Sequence, residues 1–221
     1  MLINADYSVR TLVHADELPW IPSPQTGVER RMLERIGDEV ARATTIVRYA
    51  KGSFFPSHAH DMGEEYIVLE GVFQDEKGDH TVGRYVRNPP GSQHSPGSEP
   101  GAIIFVKLRQ FDLHDRQSVE VDLSVVPKRM DTHKPGVLVQ DLHSDTREVV
   151  RAEYWQRDQI WQETFAHGAE LLVLQGQLQE RGDCLRTWSW LRLPAGASLQ
   201  ARIMSDSATV WVKRHLIFPL Q

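Results

Sequence analysis

Three imidazoles and one carboxylate, those of His58, His60, His94 and Glu64, stand at spacings suited to one divalent metal ion. On an extended strand, an H-x-H pair puts both rings on one face, because side chains alternate with a period of two. Gly63 lets the chain turn, so Glu64 can open the next strand with its carboxylate beside the rings. Gly91 permits a second tight turn before His94, which brings a third imidazole from a strand distant in sequence. Such a donor set suits zinc, iron, manganese, nickel or copper, and it disfavours calcium and magnesium, which take oxygen ligands. With 10 histidines in 221 residues, the His58/His60 pair alone carries little weight. The weight lies in the combination, with Gly52, Gly71, Gly83, Pro89 and Gly91 at set spacings around the four donors.

Donors so arranged need short strands to hold them, and strand-like segments dominate the chain. Thr44–Tyr49, Glu65–Leu69, Ala102–Leu108, Leu171–Leu174 and Thr209–Lys213 are short and rich in β-branched or aromatic residues, and turn-forming residues bound most of them. Asp75–Asp79 and Glu180–Asp183 read as hairpin turns. Many short strands with turns at such intervals point to an all-β barrel or sandwich. Val28, Met32, Leu33 and Ile36 have near-helical spacing. We nevertheless expect a strand there, because the apparent repeat partner, Gly136–Leu142, reads as one.

That partner belongs to an internal duplication. Glu65–Gly71 aligns with Glu170–Gly176 at an offset of 105 (170 − 65), and the same offset carries Pro89–Gly91 to Pro194–Gly196 and Arg87 to Arg192. The expected organisation is a metal-bearing N-terminal copy over 1–112, a joining region over 113–134 and a second copy over 135–221. The period is far too long for a solenoid. At the offset positions of His58, His60, Glu64 and His94, the second copy carries Glu163, Phe165, Ala169 and Leu199, so it has lost the ligands. His167 has no partner imidazole nearby in sequence. Trp155, Trp161, Trp188, Trp190 and Trp211 crowd this half and are expected to fill its interior.

Composition narrows the function classes. A net charge of −5 gives no basic footprint for nucleic acid. No apolar signal-like region follows Met1–Asp6, and no run approaches membrane-spanning length, so a cytoplasmic location is expected. The single cysteine, Cys184, excludes an internal disulfide framework and a multi-cysteine zinc site. Arg30, Arg31 and Arg35 read as a solvated face, and Cys184 has no nearby base in sequence. Tyr66 and Glu70 share strand parity with Glu64 and are candidates to stand behind the ligands.

The motif residues fit the cupin superfamily pattern, G-x5-H-x-H-x3-E-x6-G followed by G-x5-P-x-G-x2-H. His58–Gly71, Asp75–Asp79, Tyr85–Ser92 and Phe105–Leu108 further resemble the cupin domain of ChrR-type anti-sigma factors. The resemblance implies a double cupin (bicupin) of two conical antiparallel β-barrels or jelly rolls. It also implies ligation by His58, His60, Glu64 and His94, zinc as the metal, and a homodimer. The Asn usual a few residues after the last cupin histidine is replaced by Gly97 and Ser98, a departure that touches no ligand. The helical sigma-binding domain of ChrR, with its H-x3-C-x2-C zinc motif, has no counterpart in the sequence, so a sigma factor as partner does not carry over. Two functions stay open. One is a sensing or small-molecule-binding module, and the other is a metal-dependent dioxygenase acting on a β-diketone or hydroxyacetophenone-like molecule. No separate general base is visible for the second.

Overall fold

The computed structural model describes residues 1–217, and its chain divides into two compact all-β units. The first comprises Met1–Ala5 and Leu18–Val125, the second Asp6–Glu17 and Val126–Gln221.

In the first unit the main sheet runs Leu2–Ile3, Val28–Gly37, Ala41–Tyr49, Ala102–Leu108, Glu64–Asp75, Arg84–Asn88 and Val119–Asp122, and every neighbouring pair is antiparallel. Val28–Gly37 is a strand, as its repeat partner suggested. Short ribbons carry the motif residues. His58–His60 pairs with Ser92–His94, and Ser53–Phe54 pairs with Gly97–Ser98. Val28, Val47, Tyr49, Tyr66, Val68, Phe73, Val86, Ala102, Ile104 and Val106 form the core, the inward halves of alternating strands.

The second unit repeats this order. Its main sheet runs Arg129–Met130, Leu138–Ser144, Glu148–Gln156, Ser207–His215, Ala169–Gln175, Ser189–Leu193 and Thr11–His14. A four-stranded sheet joins Ile160–Phe165, Ala197–Ile203, Gln177–Glu180 and Asp183–Arg186. Even the irregularities repeat. A bulge leaves Leu69 without a partner in the first unit, and another leaves Leu174 unpaired at the offset position in the second. Both expected hairpins form, closing at Asp75/Gly78 and at Glu180/Asp183.

The sequence-based boundaries miss one feature. Thr11–His14, from the chain's beginning, completes the edge of the second unit beside Ser189–Leu193, and Val119–Asp122 completes the first beside Arg84–Asn88. Residues 113–134 are therefore more than a joining region, since they carry Val119–Asp122 and Arg129–Met130. The physical reason is the edge itself. An uncovered row of backbone N–H and C=O groups invites pairing, and any nearby extended segment can satisfy it.

Tryptophan placement also departs from expectation. Trp155 and Trp161 stack at 4.9 Å inside the second core. Trp190 and Trp211 are buried but alternate with Leu191, Val210 and Val212, so they lie on the opposite faces of their strands. Among the described residues, no helix is long and apolar enough to cross a membrane.

Candidate metal centre

The His58–His60 and Ser92–His94 ribbon sets the geometry. Its register puts His94 opposite His58 and Ser92 opposite His60. The three rings meet with centroids 4.7–5.2 Å apart, and their available nitrogens lie within 4.8 Å of one another. Glu64 completes the group, its Oε2 standing 3.6 Å from the Nε2 of both His60 and His94. Gly63 makes this approach possible. It sits at φ +77, and a Cβ there would fall 2.4 Å from Cγ of Phe111, so only glycine turns the chain so sharply against that ring.

Each imidazole is anchored through Nδ1. His58 Nδ1 lies 3.0 Å from the carbonyl oxygen of Pro56, His60 Nδ1 3.2 Å from the Ser92 hydroxyl, and His94 Nδ1 3.3 Å from the Asp75 carboxylate. These partners favour the Nδ1–H tautomer, which leaves the Nε2 lone pairs free. His60 Nε2 and His94 Nε2 are buried and have no hydrogen-bond partner. Orphaned buried acceptors are rare in folded proteins, and here two converge beside a carboxylate. A divalent cation satisfies all of them at once, so the donor set fits a transition metal.

A second tier holds the donors in place. The Asn88 side chain donates to Glu64 Oε2 at 3.0 Å, and His80 Nε2 lies 3.0 Å from the other oxygen of Asp75. Burial lowers the His60 pKa, and the neighbouring imidazoles add to this against the pull of Glu64. For His94 burial acts in the same direction, but the Asp75 hydrogen bond and the Glu64 charge outweigh it and raise the group. Burial also opposes ionisation of Asp75, yet the hydrogen bonds from His80 and His94 hold its carboxyl far below the usual range. Tyr66 lies behind the site with its hydroxyl buried and unpartnered, and burial followed by the Glu64 charge pushes its pKa well above the ordinary phenol value.

The structure thus brings His58, His60, Glu64, His94 and Tyr66 into one region of the first unit. Glu70 is not among them. The Leu69 bulge reverses strand parity, so Glu70 ends exposed and Phe73 enters the core. Sequence reading missed Asp75, His80, Asn88 and Ser92. In sequence Asp75 reads only as part of the hairpin turn, where it does accept from the Lys77 N–H at 2.8 Å. Asn88 stands opposite Glu64 only through the pairing of their strands, which left no local signal in the sequence.

Beside three of the donors lies a cavity of about 500 Å³, lined by His58, His60, Glu64, Tyr49 and a band of aliphatic side chains. In the second unit the matching register survives, with Glu163 opposite Leu199, but its chemistry differs. Glu163 is clamped by Arg214 at 2.6 and 2.9 Å and by Lys134 at 2.8 Å, while Phe165 and Leu199 belong to the apolar core. Burial alone would raise the Glu163 pKa, but Arg214 and Lys134 overcome it and hold the group at about 2.

An antiparallel jelly roll with three converging histidines and a turn-opening glutamate defines a cupin. Residues 8–112 match the ChrR cupin-like domain. No curated protein matches the chain in sequence. Solved structures match its fold. A candidate dioxygenase from Nostoc punctiforme is 14% identical, with TM-score 0.78 over 94% of this chain and 82% of its own. The pirin YhhW from Escherichia coli, solved with nickel(II), is 15% identical, with TM-score 0.69 over 96% of this chain and 100% of its own. A cupin 2 conserved barrel protein from Leptotrichia buccalis is 12% identical, with TM-score 0.59 over 88% and 92%. At these identities the likeness concerns the fold, which for the whole chain is an all-β double cupin.

Proposed function

We propose that the first unit binds one divalent transition metal through Nε2 of His58, His60 and His94 and the carboxylate of Glu64, and uses it to hold a small molecule in the adjoining cavity. The observation that carries this reading is the pair of buried, unpartnered Nε2 atoms of His60 and His94 beside Glu64, with His60 and Glu64 themselves lining an open cavity. Zinc is the ion the ChrR resemblance implies, and iron, manganese and nickel fit the same donors. When bound, the metal would supply a Lewis acid and a template for an oxygen-bearing ligand. The chain's own residues orient the donors. Asn88 fixes Glu64, while Pro56, Ser92 and Asp75 fix the three imidazoles.

The resulting role is ligand binding or sensing through that ligand. A second reading, a dioxygenase acting on a β-diketone or hydroxyacetophenone-like molecule, is supported by the cavity beside the donors, which has room for a substrate. X-ray absorption on protein purified without added metal tests the proposal. A five- or six-coordinate ion with a water or exogenous ligand agrees with it. A closed tetrahedral ion with four protein ligands leaves no position for a small molecule and contradicts it.

A further inference from the structure

Tyr49 lies at the end of Ala41–Tyr49, opposite Val28 and Ala102, with its ring edge-on to Phe73 at 5.2 Å. The residue is only 7% exposed and lines the cavity that contains His58, His60 and Glu64. Among the described residues its hydroxyl makes no hydrogen bond, unlike the buried Tyr85 hydroxyl, which donates to Glu65 at 2.6 Å. Tyr49 lines the cavity and its oxygen is not among the sealed, unpartnered polar atoms, so the hydroxyl is open to the cavity and available to a ligand acceptor there. At neutral pH a phenol is protonated, so it offers a donor.

The rest of the cavity restricts what that ligand can be. Val28, Val47, Phe55, Ile104, Val106 and Leu108 make its walls largely apolar. Its two arginines are already paired within the lining, Arg30 with Glu39 at 3.2 Å and Arg109 with Asp61. Little cationic charge is therefore left to hold an anionic tail. A cavity of about 500 Å³ falls within the ordinary range for small-molecule sites.

We infer that the cavity receives a largely apolar small molecule with an oxygen-chelating head and no charged tail, and that Tyr49 donates a hydrogen bond to that head at the metal centre. This rests on the metal reading above. The aliphatic walls discriminate ligands by their hydrocarbon body, and Tyr49 discriminates them by an acceptor oxygen.

The test uses the full chain loaded with nickel and two probes that share a chelating head, benzohydroxamate and acetohydroxamate. Nickel content is measured first, by elemental analysis of wild type and Tyr49→Phe. Binding is then followed by calorimetry. Benzohydroxamate is expected to bind at least about tenfold tighter than acetohydroxamate, because only its ring reaches the apolar walls. Tyr49→Phe, which keeps the ring in its packing, is expected to retain nickel and weaken both probes about three- to tenfold. Equal affinity for the two probes, or no binding of either to nickel-loaded wild type, overturns the assigned ligand class. Undiminished binding to nickel-loaded Tyr49→Phe overturns the role of the hydroxyl. Wild type that takes up no nickel removes the metal reading itself, and the inference falls with it; the elemental analysis separates that case from the others.

Discussion

Replacing Asp75 by Asn probes how the second tier controls the metal donors. Asp75 is almost completely buried and spends both oxygens on histidines, accepting from His80 Nε2 at 3.0 Å and lying 3.3 Å from His94 Nδ1. Asparagine keeps one carbonyl oxygen, but its NH₂ must then face an imidazole N–H, donor against donor. Either His94 loses its anchor or it changes tautomer and turns its lone pair away from the Nε2 position. Loss of a partner to a ligating histidine typically weakens metal binding by about 10- to 100-fold, equivalent to about 1.4–2.8 kcal/mol. The assay is competition for zinc against a chromophoric chelator at neutral pH, with thermal melts of the metal-free proteins run in parallel. Those melts separate an affinity loss from simple destabilisation. His80→Gln serves as the contrast, because glutamine can still donate to Asp75 and His80 touches no proposed ligand; its zinc affinity should fall less than that of Asp75→Asn. If folded Asp75→Asn binds zinc within about threefold of wild type, Asp75 does not set the orientation of His94 and the reasoning fails.

Two further outcomes follow from the same geometry. Gly63→Ala forces a side chain to φ +77 and a Cβ against the Phe111 ring, so it should destabilise the protein by about 1–3 kcal/mol in denaturant titration and weaken metal binding, since the turn carries Glu64 to the histidines. Glu163 bears on acid stability, since its folded pKa of about 2 lies below the ordinary glutamate value of 4.5. A depressed carboxyl stabilises the fold above its unfolded pKa, and that contribution disappears as pH falls from about 4.5 through about 2. It amounts to on the order of 3 kcal/mol. The stability gap between wild type and Glu163→Gln should therefore be wide at pH 6 and narrow steadily across that window; a gap constant with pH would rule out the Arg214–Glu163 pairing as its source.

Much of the site was legible because its signals are local. Strand parity alone puts His58 and His60 on one face, and glycines at fixed positions mark the turns before Glu64 and His94. The offset of 105 also located the lost ligands, and the observed pairing of Glu163 with Leu199 reproduces that of His58 with His94. What escaped depends on contacts made across strands. Asp75 reads as a turn residue until the fold brings His94 to its second oxygen. The exposure of Glu70 follows from one unpaired residue, Leu69, which reverses parity without leaving a mark in composition. Thr11–His14 and Val119–Asp122 are too short to declare their partners, so their places at the sheet edges emerge only once each sheet exists. Trp190 and Trp211 show the same limit. Their bulk predicted burial correctly, but burial occurs on both faces of these sheets, and bulk does not say which.

The central claim, a single metal held by His58, His60, Glu64 and His94, is tested most directly by elemental analysis of wild type and a His58→Ala/His94→Ala variant, both purified without added metal. The account predicts about one transition-metal ion per chain in wild type and a large loss in the variant, with the variant still folded by circular dichroism. No metal in wild type, or the same metal content in the folded variant, would contradict it.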